Sequence, residues 1–256
     1  MSDFKSYFGP WAIVTGASSG IGVEFAKQIA ERGLNIVLTA RRVERMKALA
    51  AEIRSSYGVE VRVVGLDLTK PDMLSDLIPA VEDLEIGLLV NNAGMNVAGA
   101  FYKTDLGQHL KTHVLNTTAP TILAHHYMQP MIERKKGGII FTASTSSFFP
   151  VPYMGNYAAT KAYILSLAES MNLELSKKGV KVQALCPGYT RSEMSEGVPD
   201  SFLMMQPGPV VKKSLDKLMG NYPSVVPGWP NIVMTRILPY FLSRKGFAKL
   251  GARMLR

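Results

Sequence analysis

The chain has 256 residues, 47% of them hydrophobic and 19% charged, so it can bury a sizeable core and does not resemble a disordered chain. Its one cysteine, Cys186, excludes an intrachain disulfide and a cluster of thiolate metal ligands. The net charge of +9 is uneven, because the segment from Lys217 to Arg256 holds seven basic residues and no acidic one; we therefore expect no nucleic-acid partner.

The N-terminal segment and the apolar stretches bear on location. The first ten residues contain no apolar run of the kind found in a secretory signal. No uncharged apolar stretch reaches the roughly 18 residues that a membrane span needs. Together with the single cysteine, these patterns predict a cytoplasmic protein.

Short apolar runs alternate with segments of helical periodicity along the whole chain. The apolar runs predict strands at 11–16, 35–40, 59–68, 86–94 (a strand running into a loop), 138–144, 180–188 and 223–228. The periodic segments predict helices at 21–33, 44–58, 74–84, 105–137 and 157–177.

Continuous runs of Ile, Val and Leu are typical of parallel strands that are covered on both faces. We therefore predict one α/β domain over residues 1–256, a single-domain Rossmann fold in which a doubly wound parallel sheet has helices on both faces. In such a sheet, ligands bind beyond the carboxyl ends of the strands. The candidate motifs all fall at such ends.

The sequence TGASSGIG at 15–22 joins the first predicted strand to the first predicted helix. Its glycines allow a tight turn and the close approach of a pyrophosphate, and the free N–H groups of the helix start attract that anion. The strand before and the helix after it favour a dinucleotide site over a plain turn. We assign to the cofactor Gly16, Ser18, Ser19, Gly20, Ile21 and Gly22.

The second strand ends in Arg41 and Arg42, with no acidic residue before Glu44. An arginine at this point accommodates a 2′-phosphate, whereas an acid binds a ribose hydroxyl, so the pair favours NADP(H) over NAD(H). The alternative is a solvated charge pair at a helix start. Asp67 and Leu68 end the third strand, where the carboxylate either meets the adenine amino group or caps the next helix.

Further motifs follow in a fixed order: NNAG at 91–94, Asn116 in the long helix, Ser144 thirteen residues before Tyr157, YAATK at 157–161 and PGYTRS at 187–192. With TGASSGIG, this series resembles the short-chain dehydrogenase/reductase family over residues 11 to about 192. The segments 193–216 and 229–256 match no motif of that family.

The resemblance implies a hydride-transfer site with the catalytic residues Asn116, Ser144, Tyr157 and Lys161. Tyr157 is then the general acid/base, and Lys161, one helical turn later, lies beside the phenol and lowers its pKa from about 10. The resemblance also assigns to the NADP(H) site Tyr157, Lys161, Asn91, Ala93, Gly94, Pro187, Gly188 and Thr190.

Two of these assignments have competitors. Thr145, Ser146 and Ser147 stand next to Ser144 and could replace it in orienting the substrate. Asn116 resembles a family residue that bends its helix and holds a water linked to the lysine, but an Asn inside a helix can also be a simple irregularity.

His109 and His113 have helical i,i+4 spacing without an HExxH pattern, and we expect no metal site.

Three segments should surround the nicotinamide: GMNVAG after the fourth strand, SFFPVPYM before Tyr157 and the segment that follows the PG motif. A substrate lid is predicted at about 189–216; it is rich in Met and Phe, which suggests an apolar ketone or aldehyde, or simply a lid that packs closed. The basic amphipathic tail, about 229–256, could contact a membrane surface, form a subunit interface, cover the pocket or be a solvated helix.

The function that these patterns favour is an NADPH-dependent reductase of a small apolar carbonyl compound, reversible to the alcohol. One alternative is a non-catalytic NADP(H)-binding sensor, for which Ser144, Tyr157 and Lys161 would be superfluous. Another is a nucleotide-sugar epimerase or dehydratase, for which the C-terminal part is too short. The helices at 106–134 and 157–177 suggest a homo-oligomer, a dimer or a tetramer.

Overall fold

The computed structural model describes residues 2–195 and 203–254. Seven parallel strands form one sheet in the order β3-β2-β1-β4-β5-β6-β7. The strands are β1 Trp11–Thr15, β2 Asn35–Ala40, β3 Val61–Gly65, β4 Ile86–Asn91, β5 Gly137–Thr142, β6 Val180–Leu185 and β7 Ser224–Val225. The predicted doubly wound parallel sheet is confirmed.

Ten α-helices lie in the described part of the chain: α1 Ser2–Phe8, α2 Gly20–Glu31, α3 Val43–Tyr57, α4 Met73–Val81, α5 Leu106–His113, α6 Ala119–Arg134, α7 Gly155–Ser176, α8 Pro207–Leu218, α9 Trp229–Ile232 and α10 Arg244–Met254. None of these helices is long and apolar enough to cross a membrane.

Several elements differ from the sequence prediction, among them α8, which lies largely in the segment predicted as a lid. The helix predicted at 105–137 is divided into α5 and α6 by a π-helical turn, Val114–Thr118. The strand predicted at 59–68 is limited to Val61–Gly65, the part that pairs with β2. Helix α1 was not predicted. Residues 196–202 of the predicted lid lie outside the described residues.

Alternate residues of each strand enter different cores, which is why the strands are apolar throughout. In β1, Ile13 faces a core built with α4, α6 and α7. Its neighbours Ala12 and Val14 face a second core built with α1, α2, α3 and α8. The sheet is therefore covered on both sides, and only its strand ends are left to bind ligands.

The strand order reverses direction between β1 and β4. The chain moves outward from β1 to β3 and then returns to place β4 on the other side of β1. The loops after β1 and β4 consequently diverge and leave a crevice at the carboxyl edge of the sheet. Both the glycine loop and the NNAG segment lie at this edge.

Helix α1 packs against the sheet through Phe8, which is fully buried. Two glycines make room for it: a Cβ at Gly138 would lie 2.7 Å from the Phe8 ring, and one at Gly87 would lie 2.3 Å from the Phe8 carbonyl oxygen. The Phe4 ring lies 4.7 Å from the Phe8 ring. The first residues of the chain are thus part of the core.

Replacing Phe8 by alanine should lower the free energy of unfolding by about 3–5 kcal/mol, because a large cavity would open beside two rigid strands. Chemical denaturation followed by circular dichroism measures this change. Tyr102→Ala is the matched control, since Tyr102 is 83% exposed, and it should change stability by no more than about 0.5 kcal/mol. Equal effects of the two substitutions would contradict a core role for α1.

Candidate active site

Thr15, the last residue of β1, holds together the two loops that form the crevice. Its hydroxyl donates to the carbonyl oxygen of Val90, 3.1 Å away, and accepts from the N–H groups of Asn92 at 2.9 Å and Ala93 at 3.0 Å. The hydroxyl is thereby saturated and fixes the NNAG segment against the start of the glycine loop. Sequence reasoning assigned no role to Thr15, although it is the first residue of the glycine motif.

A cavity of about 590 Å³ occupies this crevice. Most of the predicted site residues line it: Gly16, Ser18, Ser19, Gly20, Ile21, Arg41, Arg42, Asp67, Leu68, Ala93, Gly94, Ser144, Tyr157, Lys161, Pro187, Gly188 and Thr190. Residues distant in sequence therefore share a single elongated site, as the motif order predicts.

Three predicted residues lie outside the lining of this cavity. Asn91 is buried on the other side of β4, where its amide nitrogen lies 3.4 Å from the carbonyl oxygen of Pro120; its neighbour Asn92 lines the cavity instead, because side chains alternate along a strand. Gly22 is buried within α2. Asn116 lies behind the cavity wall.

The start of α2 forms an anion-binding end of the cavity. Ser19 stands at the N-cap position without a side-chain capping bond, so the first N–H groups of this 12-residue helix are left for another acceptor. Gly16 and Gly20 have φ of 67° and 53°, the left-handed values that glycine adopts freely. This arrangement suits a pyrophosphate.

Arg42 adds a positive charge to the anion-binding end. Its Nε and Nη2 lie 3.1 and 3.0 Å from the Ser18 hydroxyl, and Nη2 also lies 3.0 Å from the Ser19 hydroxyl. The guanidinium is thus attached to the glycine loop and is not merely a solvated charge. Arg41 also lines the cavity and lowers the pKa of Asp67.

Asp67 does not cap the next helix, because α4 begins at Met73 with Asp72 at the N-cap position. Instead its Oδ1 accepts from the Thr69 N–H at 3.0 Å and from the Thr69 hydroxyl at 2.8 Å. These hydrogen bonds hold the pKa of the Asp67 carboxyl below its usual value. An ionised carboxylate therefore faces the cavity.

Tyr157 lies in the first turn of α7 and is 9% exposed. Burial raises the pKa of its phenol to about 12, while a hydrogen bond with Ser144 acts in the opposite direction. The predicted lowering of this pKa is therefore wrong for the described arrangement, because burial is the largest cause of the shift and raises the value. At neutral pH the phenol keeps its proton.

Lys161 lies one helical turn after Tyr157, as predicted, and is buried. Its Nζ donates to the Thr142 carbonyl oxygen at 2.6 Å and lies 5.7 Å from the centre of the Tyr157 ring. Burial lowers the pKa of the Lys161 amine to about 8. The carbonyl at the end of β5 thus fixes the amine beneath the cavity floor.

Ser144 is better placed than its neighbours to orient a substrate. Its Oγ accepts from the Ser146 N–H at 3.1 Å, and its own proton is available to donate to the Tyr157 phenol. Ser147 instead uses its hydroxyl to cap the turn, accepting from the Ser144 N–H at 3.3 Å. Thr145 is buried next to them. Only Ser144 is also linked to the Tyr157 phenol.

Asn116 is buried in the π-helical turn between α5 and α6. Its side chain exchanges two hydrogen bonds of 2.9 Å with the backbone of Met95 and donates to the Thr160 hydroxyl at 3.1 Å. The wide turn is therefore no simple irregularity, because it joins the NNAG segment to the helix that carries Tyr157 and Lys161.

The opposite end of the cavity has apolar walls, formed by Leu115, Phe149, Val151, Met154, Tyr189 and Met234. The C-terminal tail takes part in them. Phe247 of α10 stacks on Phe149 with ring centres 4.8 Å apart and an interplanar angle of 11°, and Gly251 lines the cavity. Of the roles considered for the tail, covering the pocket is the one seen in the structure.

Cys186 and the two spaced histidines belong to the scaffold. Burial raises the pKa of the Cys186 thiol to about 12, so it is an unreactive core residue. His109 stacks on Phe101, whereas His113 bonds the Asn156 amide oxygen at 2.8 Å. The two imidazoles thus have separate partners.

Residues 10–201 match the family model described as short chain dehydrogenase. The chain belongs to this family. An inactive hydroxysteroid dehydrogenase-like protein 1 of Pongo abelii is 34% identical over 205 residues, which cover 79% of this chain and 62% of that protein. The chain thus spans less than two thirds of that relative's length. A 7beta-hydroxysteroid dehydrogenase of Clostridium sardiniense is 34% identical over 188 residues, 73% of this chain and 72% of that protein.

Solved structures extend the likeness to almost the whole chain. A structure from work on the stereoselectivity of a 7beta-hydroxysteroid dehydrogenase superposes with a TM-score of 0.92 at 27% identity, covering 97% of this chain and 99% of that one. A short-chain dehydrogenase of Sphingobium yanoikuyae in complex with NADPH has a TM-score of 0.81 at 34% identity, covering 96% and 94%. The segments without a recognised motif therefore also have structural counterparts.

The family's nicotinamide cofactor, NAD(P)(H), fits the residues of the short-chain dehydrogenase pocket. One end offers the open N-terminus of α2 for a pyrophosphate, and the other brings Tyr157 and Lys161 together. The hydroxyls of Thr39 and Ser146 also belong to residues that line the cavity, and they are buried without a partner among the described residues. Unpaired buried hydroxyls are costly unless a ligand satisfies them.

The lowered pKa of Lys161 makes stability depend on pH. Between about pH 8 and 10.5 the unfolded chain binds the proton that the folded chain has lost, so stability rises with pH in this window. Relative to Lys161→Met, the parent protein should gain about 2 kcal/mol in free energy of unfolding from about pH 7.5 to 9.5; the comparison cancels the opposite contributions of Cys186 and Tyr157, which are present in both proteins. Urea unfolding of both proteins across this range measures the difference. Identical pH profiles would contradict a depressed lysine pKa.

Proposed function

We propose that the protein is an NADPH-dependent oxidoreductase that interconverts a bulky apolar ketone or aldehyde and its alcohol. The observation that carries the proposal is the convergence of Ser144, Tyr157 and Lys161 at one end of a cavity whose other end presents Arg42 beside the glycine loop. The first group handles a proton at a carbonyl oxygen, and the second binds a phosphorylated dinucleotide.

The proton chemistry follows from the buried phenol. Carbonyl reduction places negative charge on the oxygen, and the Tyr157 hydroxyl, protonated at neutral pH, donates its proton there. Ser144 donates a hydrogen bond to the same oxygen and holds it in line with the phenol. A nicotinamide held beside Tyr157 and Lys161 would supply or accept the hydride. Lys161 stabilises the phenolate that remains after donation.

Two observations support NADPH over NADH. Arg42 directs a guanidinium to the edge of the glycine loop, where Ser18 and Ser19 supply further hydrogen-bonding groups. No acidic residue stands between the second strand and Glu44 to bind an unmodified ribose. A similar dehydrogenase of Sphingobium yanoikuyae has been solved in complex with NADPH.

A bulky apolar substrate is supported by the cavity walls, where Phe149, Val151, Met154 and Met234 supply no charge. Methionine side chains adapt to irregular shapes, which suits a range of related ketones. The name 7beta-hydroxysteroid dehydrogenase belongs both to a similar protein of Clostridium sardiniense and to a solved structure that superposes on this chain. We infer a fused-ring or similarly large apolar ketone as the substrate class.

A sensor without activity is the competing interpretation, because similar proteins carry the name inactive hydroxysteroid dehydrogenase-like protein 1. In this chain Ser144, Tyr157 and Lys161 are all present and all line one cavity. A sensor has no need for a proton donor beside the cofactor. The complete set therefore favours an enzyme.

Tyr157→Phe separates the two interpretations. We expect reduction of a bulky ketone by NADPH to fall by about 10²–10⁴-fold, since the proton donor is lost, while NADPH binding persists. Spectrophotometric assays of NADPH oxidation and fluorescence titrations measure these quantities. The matched control is Tyr163→Phe, on the same helix but half exposed, which should keep full activity. Undiminished turnover in Tyr157→Phe would exclude the proposed donor.

Arg42→Ala tests the cofactor preference. Losing a charged hydrogen-bond donor should raise the KM for NADPH by about 10–100-fold and leave that for NADH nearly unchanged. Steady-state kinetics with both cofactors provide the measurement. Lys47→Ala removes a positive charge from the same helix, where it pairs with Glu44 at 2.8 Å, and should leave both constants unaltered. An equal rise in the KM for NADH in Arg42→Ala would indicate a structural defect and would contradict a role specific to NADPH.

We also propose that the tail places this enzyme on an anionic membrane surface from the cytoplasmic side. A stripe of exposed apolar residues runs along its helical part: Trp229, Val233, Ile237, Tyr240 and Phe241, the first 74% and the last two 86% and 81% exposed. We call these five residues the tail stripe. Met234, in the same segment, lines the cavity, so an apolar ketone dissolved in lipid would be close to its site.

The positive charges near the tail stripe favour contact with a membrane over contact with a second copy of the chain. Arg244, Lys245 and Lys249 are exposed in the helix that follows, and the chain has no acidic residue after Asp216. A two-fold contact would bring these cations against their own copies, whereas anionic lipid neutralises them. Trp and Tyr side chains also suit the bilayer interface.

Replacing Trp229, Tyr240 and Phe241 together by serine should weaken binding to phosphatidylcholine–phosphatidylserine vesicles by about tenfold or more. Vesicle sedimentation measures binding, with phosphatidylcholine vesicles to reveal the contribution of charge. The control replaces Phe101 and Tyr102, which are exposed elsewhere, by serine and should bind like the parent. Unchanged vesicle binding, or a change in oligomeric state instead, would exclude the membrane role.

A further inference from the structure

The segment after β6 folds back over the glycine loop. Thr190 forms a bridge with Met205, and Ser192 lies so close to Gly20 that a Cβ at this glycine would be 2.7 Å from the Ser192 Cβ. The next residues, Glu193–Ser195, form a short 3₁₀ turn. The first part of the substrate lid therefore lies against the phosphate end of the cavity.

Glu193 attaches this lid segment to two arginines. Its Oε2 lies 2.6 Å from Nη1 of Arg42, and its Oε1 pairs with Nη1 of Arg45. Hydrogen bonds from both guanidinium groups hold the pKa of the Glu193 carboxyl below its usual value. A carboxylate from the lid is thus paired with helix α3, some 150 residues earlier in the chain.

The Arg42 guanidinium is fully engaged in this arrangement. Its Nε and Nη2 contact the hydroxyls of Ser18 and Ser19, and Nη1 contacts Glu193. A planar guanidinium binds a phosphate best when one edge is free for two parallel hydrogen bonds. A second anion next to Arg42 would also be repelled by the Glu193 carboxylate.

We propose that Glu193 is a specificity-determining residue that competes with the 2′-phosphate of NADP(H) for Arg42. Binding of the phosphorylated cofactor breaks the Glu193–Arg42 pair and detaches the lid from the glycine loop, whereas an unphosphorylated dinucleotide leaves the pair intact. The inference rests on the proposed NADPH preference. It goes beyond that preference in two ways: the Glu193 carboxylate weakens the preference for NADPH, and binding of the 2′-phosphate releases the lid segment from the glycine loop.

The exposure of the pair sets the size of the effect. The side chains of Arg42 and Glu193 are 41% and 38% exposed, so water and salt weaken the attraction. Removing an exposed competitor of this kind should change affinity by about fivefold. The effect should fall on the 2′-phosphate, because this is the one group by which NADPH differs from NADH.

Isothermal titration of the full chain with NADPH, NADH and adenosine 2′-monophosphate tests the inference. In Glu193→Gln, which keeps the shape and loses the charge, NADPH and adenosine 2′-monophosphate should bind about fivefold tighter, and NADH should bind as before. Glu44→Gln is the matched control: it removes a carboxylate near Arg42 that pairs with Lys47 instead, and all three affinities should stay unchanged.

The outcomes separate this inference from the proposed function. Weaker NADPH binding in Glu193→Gln would show that Glu193 positions Arg42, which would overturn the competition. Equal gains for NADPH and NADH would assign the effect to the lid alone and would overturn it too. If the parent protein binds NADPH and NADH equally, the proposed cofactor preference itself is wrong. Tighter NADPH binding with unchanged NADH supports both.

Discussion

The site depends on the hydroxyl of Thr15, which joins two neighbouring strands at the point where the order of the sheet reverses. Thr15 donates to Val90 and accepts from Asn92 and Ala93, so the loop after β1 and the loop after β4 cannot move independently. Parallel strands leave their ends to be connected by loops, and only such a crosslink turns two loops into a rigid crevice. The other parts of the site are attached around this edge.

Burial is the second constraint, and it acts on both members of the proton-transfer pair. An apolar surrounding disfavours charge, so it raises the pKa of the Tyr157 phenol and lowers that of the Lys161 amine. Both shifts favour the uncharged form of the side chain more strongly than water does. Such opposed shifts are typical of sites where a proton is exchanged and not of surface ion pairs.

The two ends of the cavity differ in polarity. At the phosphate end, Arg42, Ser18, Ser19 and the start of α2 are polar and partly exposed, and Glu193 adds a competing charge. At the substrate end the walls are apolar, and the tail helix α10 closes them through the stack of Phe247 on Phe149. One cavity therefore combines a charged, polar end with an apolar end.

Much of the fold could be predicted from the sequence, because it is encoded locally. Continuous apolar strands between periodic helices determine a parallel sheet, and the glycine loop, NNAG, YAATK and PG motifs each keep their chemistry within a few residues. The seven strands and most of the cavity lining follow from these patterns. Helix α1 could not be predicted from the sequence, because its seven residues are stabilised by packing against Gly87 and Gly138 and not by their own periodicity.

Only the tertiary structure decided the environment of each side chain. Asn92 rather than Asn91 faces the cavity because strand alternation selects it. The pKa of Tyr157 rises rather than falls, because burial by distant segments is the largest cause of its shift. The Glu193–Arg42 pair and the Phe247–Phe149 stack join positions separated by about a hundred residues or more, and no local pattern contains them. The sequence determined which chemical groups are present; the long-range packing determined how much water and which neighbours each group meets, and therefore how it behaves.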